Sequence, residues 1–109
     1  MTPEERTRRA ALTSATRAHR ALVATRAREA EAARRLRVAW FVANRAGTSY
    51  HGLAAAFGVS EAWINGQIAE VRHDLVDPDH HTRATTRALV REFAARAGMD
   101  ADEILQTCG

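Results

Sequence analysis

The sequence predicts an all-α protein: a long N-terminal helix, a tight helix pair at the centre, and two C-terminal helices. Three observations carry this. From Glu4 to Ala46 there is neither Gly nor Pro, and the helix formers Ala, Arg, Leu and Glu dominate. No segment alternates apolar and polar residues with period two over a useful length. Gly47, Gly58, Pro78 and Gly98 then punctuate the rest into helix-sized pieces.

The first helix starts well. Thr2 can accept a hydrogen bond from the backbone of Glu5, and Pro3 sits at the first helical position. A break near Thr25 would make a hairpin, but no turn chemistry supports one. Leu12, Ala15, His19 and Leu22, then Ala33, Leu36, Trp40 and Ala43, recur at heptad-like spacing, interrupted by Arg26 and Glu29. This spacing predicts either a weak coiled-coil seam or an amphipathic helix packed on its own domain. The run Trp40-Phe41-Val42 predicts an end buried on more than one side, and Gly47 stops the helix.

The centre is Ser49 to Arg72, SYHGLAAAFGVSEAWINGQIAEVR. It reads as two short helices about a turn at Gly58-Val59-Ser60. Ser49 caps the first and Ser60 the second, and Gly58 takes the left-handed conformation where the first must stop. The expected buried set is Leu53, Ala54, Phe57, Val59, Ile64 and Ile68. On the second helix Ile64, Ile68, Val71 and Leu75 form an inward stripe. Its outward face is small: Ala62, Gly66, Ala69 and His73, flanked by Trp63, Asn65, Glu70 and Arg72. Asp77-Pro78 then ends the helix, and 77–81 reads as a linker. Thr82 to Ala97 is the next helix, around Leu89, Val90 and Phe93, with Gly98 as its stop. Asp100 and Glu103 start a short last helix, with Met99 stapling Ile104.

The pattern LAAAFGVS followed by an amphipathic helix resembles the helix-turn-helix DNA-binding proteins of bacteria and their phages. The resemblance covers about a quarter of the chain, residues 49–72. It implies that the second helix enters the major groove of double-stranded DNA, with Ser60, Asn65, Gln67 and Arg72 as the side chains that read or position it. The outward face is shorter and poorer in cations than the family pattern. Three parts follow: an Arg/Ala-rich arm at 1–46 that can dimerise, the motif at 47–76, and C-terminal helices at 82–109.

Charge places the affinity elsewhere. Residues 1–49 hold 11 Arg against 4 acids, and residues 50–109 hold 5 Arg against 9. The basic field therefore lies on the arm, where Arg34, Arg35, Arg37 and Arg45 are expected to contact phosphate. All 16 cationic side chains are Arg. Codon bias of a GC-rich genome, actinobacterial or of an actinophage, explains this more simply than phosphate recognition by guanidinium forks. Apolar residues make up 46% of the 109, much of it Ala, so the core is small and a homo-oligomer, a dimer first, is expected.

A rival reading takes Ala62, Gly66 and Ala69 as a flat shelf for another helix, with Trp63 as an anchor at its edge. The protein would then be an interaction or oligomerisation module, including a phage packaging or recombination accessory protein. A catalytic role is not expected: the chain has no Gly-rich phosphate loop, no Ser/His/Asp spacing and no HExxH. His73, Asp77, Asp79, His80 and His81 read as a solvated linker rather than a metal site, because Pro78 breaks the helix between them. No cofactor is expected. One cysteine, Cys108, and no stretch near the ~18 apolar residues of a membrane span point to the cytoplasm, at a bacterial nucleoid or in a phage-infected cell.

Overall fold

The computed structural model describes residues 2–108. It contains α1 (Pro3–Arg45), α2 (Tyr50–Phe57), α3 (Glu61–Val76), α4 (Arg83–Arg96) and α5 (Ala101–Thr107), with no strand among the described residues. The fold is all-α, with a long N-terminal helix followed by shorter ones. The chain divides into two units, 1–32 and 33–109, and α1 contributes to both.

In the first unit the backbone of Glu5 donates to the Thr2 hydroxyl at 3.2 Å. Thr7, Thr13, Thr16 and Thr25 turn their hydroxyls onto the carbonyls four residues back, at 2.9–3.0 Å, which satisfies them locally. Every described residue from Thr2 to Ala33 is exposed. Helix propensity and backbone bonding, with these local side-chain bonds, sustain the helix in this unit.

The second unit carries the core. Val38, Trp40, Phe41 and Val42 of α1 pack with Leu53 and Ala54 of α2 and with Ile64, Ile68, Val71 and Leu75 of α3. Leu89, Val90 and Ala94 of α4, Ile104 and Leu105 of α5, and Cys108 complete the cluster. The spacing of the α3 set keeps one face inward over about three turns. Phe57 departs from the expected buried set: it is 51% exposed. It is the last residue of α2, and its ring meets Trp40 edge-on at 5.4 Å between centroids, so one ring face stays open to water. Val59 is half-buried against the core.

Polar clasps hold the helices in register. Arg35 donates to both Glu92 carboxylate oxygens, at 2.9 and 3.0 Å, and lies 5.3 Å over the Phe93 ring. This joins the end of α1 to α4. Arg96 reaches the same carboxylate at 2.8 Å. The Arg35 hydrogen bonds, ahead of the charge of the two guanidiniums, hold the Glu92 carboxyl below its usual range despite some desolvation. Between α3 and α4, Asp74 accepts from the hydroxyls of Thr82 (3.3 Å) and buried Thr86 (3.1 Å), and His80 Nε2 lies 3.3 Å from it.

Candidate nucleic-acid interface

The central helix pair is built locally, and each device is visible. Ser49 accepts from the Gly52 backbone at 3.0 Å, and Ser60 from the Trp63 backbone at 3.1 Å. Gly58 lies at φ 68°, ψ 33°, and its N–H bonds the Ala54 carbonyl. A side chain at that φ is strained, so glycine lets α2 stop and α3 begin three residues later. Across the turn, His51 Nδ1 and Glu61 Oε1 meet at 2.8 Å on the surface.

Of the α3 residues expected to face DNA, Asn65 and Arg72 are exposed. Seven residues apart, they lie two turns apart on one flank. Arg72 reaches back to the Tyr50 hydroxyl at 3.4 Å, which links this flank to α2. Gln67 is half-buried and lies on the other flank. Ser60 is exposed, but its oxygen is engaged as the cap. Gly66 has open space around the position of a Cβ, with nothing within 4 Å. Ala62 and Ala69 are exposed beside it, and Trp63 is 54% exposed. A shallow, mainly apolar depression on the same helix is lined by Ala69, Arg72, His73, Val76 and Asp77.

The four arginines near the end of α1 are engaged within the chain. Arg35 is bound to Glu92, Arg37 lies 3.4 Å from Glu70, and Arg45 bonds the Thr107 hydroxyl. Arg34 is half-buried and lines a cleft with Arg37, Glu70, His73, Asp74, His80 and Thr82. Their guanidiniums therefore reach a phosphate only alongside or in exchange for a protein partner. The linker histidines are drawn in as well. His80 Nδ1 accepts from the Thr82 backbone at 3.3 Å, which leaves the ring proton on Nε2, toward Asp74. His81 stacks on His80 at 4.9 Å. Among the described residues no group of three His, Cys, Asp or Glu is placed to hold a metal ion.

A basic groove along α4 is a feature that the sequence alone did not reveal. Pro78, His80, His81, Arg83, Ala84, Arg87, Ala88 and Arg91 line it. Its signal is the row of arginines at 83, 87 and 91, one turn apart each, with alanines between. Among the described residues no helix is long and apolar enough to cross a membrane. No family model, curated protein or solved structure matches this chain.

Proposed function

We propose that the protein is a small DNA-binding helix-turn-helix regulator, acting in transcription or in a phage life cycle, that presents α3 to the major groove. One observation carries the reading. Helix α3 is fastened by its inward stripe and its Ser60 cap, while the flank bearing Asn65 and Arg72 is exposed. Those are residue types that pair with adenine and guanine edges. The open space at Gly66 and the small Ala62 and Ala69 beside it let a helix backbone lie close to its target. A dimer joined through the heptad-like positions of α1 would offer two such helices to two half-sites.

Fluorescence anisotropy with a random-sequence duplex pool at two salt concentrations tests this. Wild-type protein binds at low salt and weakens as salt rises. On a duplex selected from the pool, Asn65→Ala with Arg72→Ala costs about tenfold or more in affinity. No binding at low salt, or a double variant equal to wild type, sinks the reading.

A second reading has its own support. Trp63 and Val76 of α3 are 54% and 59% exposed, which is apolar surface suited to a protein partner. On that reading Trp63→Ala or Gly66→Leu changes the mass seen by light scattering with helicity retained. An unchanged mass removes the self-assembly form of it.

A further inference from the structure

We infer that the α4 groove is a second contact for the nucleic-acid backbone, holding phosphates beside the helix that reads bases. The inference rests on the DNA reading and says where the phosphate charge is met. Arg83, Arg87 and Arg91 follow one another every four residues, in steps of ~6 Å along the helix axis. A linear polyanion can meet such a row with successive charges. Ala84 and Ala88 lie between the arginines in the lining and raise no side chain against an approaching strand. Among the described residues no carboxylate lines the groove.

The three guanidiniums differ in their ties. Arg87 has no hydrogen-bond or ion-pair partner among the described residues. Arg83 uses its Nε on the Leu75 carbonyl at 3.1 Å, in the last turn of α3, which leaves its terminal nitrogens for a phosphate. Arg91 pairs with Asp102 at 2.9 Å, but both are exposed, and such a pair exchanges at little cost.

Two further features bear on an anion here. Helix α4 begins at the groove with no acid in its first turn. Its N-cap Thr82 makes no side-chain cap, the hydroxyl being turned to Asp74. The Asp74 carboxylate, which takes the Thr82 and Thr86 hydroxyls, offsets part of the positive end of the helix dipole there. The groove is also continuous with the exposed edge of α3. It shares His80 with the cleft that holds Arg34 and Arg37, and that cleft shares His73 with the depression beside Arg72. A regular row of charges on a small-residue floor fits a phosphate backbone better than the irregular carboxylates of a protein.

The test measures duplex affinity across a salt series for wild type, Arg87→Ala/Arg91→Ala and Asn65→Ala/Arg72→Ala, each checked by circular dichroism. The groove variant should weaken binding to all sequences alike. It should also make the log–log salt dependence shallower by about two, one for each phosphate no longer held. Wild-type duplex binding with an unchanged slope in the groove variant overturns the groove alone and leaves the α3 reading standing. Absence of wild-type duplex binding at low salt overturns both. Groove-dependent binding of a poly-glutamate peptide without duplex binding assigns the groove to an acidic protein and overturns it as a nucleic-acid contact.

Discussion

Ile64 and Gly66 lie two residues apart on α3 and face opposite ways. Ile64 has no exposed surface. Ile64→Ala removes buried methyl groups and leaves a cavity, so it should cost about 2–5 kcal/mol in urea unfolding. Gly66 sits in mid-helix, and nothing lies within 4 Å of the position its Cβ would take. Gly66→Ala should therefore stabilise the fold by about 0.5–1 kcal/mol. On the DNA reading the same change weakens duplex binding, because a methyl group stands where the backbone comes close. Higher unfolding stability with unchanged duplex affinity would detach Gly66 from function. Gly58 is the contrast: at φ 68° a side chain is strained whatever the space around it.

The elements meet through caps and clasps. Ser60→Ala leaves the Trp63 N–H without its acceptor and should cost about 1 kcal/mol. Glu92 has a lowered pKa because Arg35 bonds its ionised form. A depressed carboxyl contributes stability that is present above the unfolded pKa and is lost as pH falls through the folded one. Glu92→Gln should thus lower the urea midpoint at neutral pH and flatten its decline in acid below about pH 4. A variant with the wild-type acid profile would show that the α1–α4 clasp contributes nothing.

Local chemistry made these elements legible. The caps at Ser49, Ser60 and Asp100, the stop at Gly58 and the inward stripe of α3 all follow from residues within a few positions of one another. The partners of Arg35, Arg37 and Arg45 did not. Glu92, Glu70 and Thr107 are far away in the chain, and nothing local couples them. The exposure of Phe57 was hidden for a related reason: periodicity puts an aromatic residue on a face but does not say how far the core extends over it. The spacing of the α4 arginines passes unremarked in a helix read for its apolar residues, and only the fold shows them lining a groove in which no described carboxylate takes part.

At the scale of the molecule, the charge divides between the two units. Residues 1–32 carry seven Arg and four acids, and residues 33–109 carry nine of each. The folded unit is neutral overall, so affinity for DNA from this unit depends on where its charges lie. Leu12, Leu22 and Val23 in the other unit are 69%, 46% and 50% exposed. If α1 forms the dimer seam, sedimentation should give a concentration-dependent dimer, and Leu12→Asp with Leu22→Asp should give a monomer of unchanged helicity. A wild-type monomer at all concentrations would remove that arrangement.

Whether α3 meets DNA, as proposed, is read from amide chemical shifts of the labelled full chain during titration with duplex. The largest shifts should run from Ala62 to His73, with a second set from Arg83 to Arg91. Saturating duplex that leaves the α3 amides unmoved would contradict a DNA contact through α3.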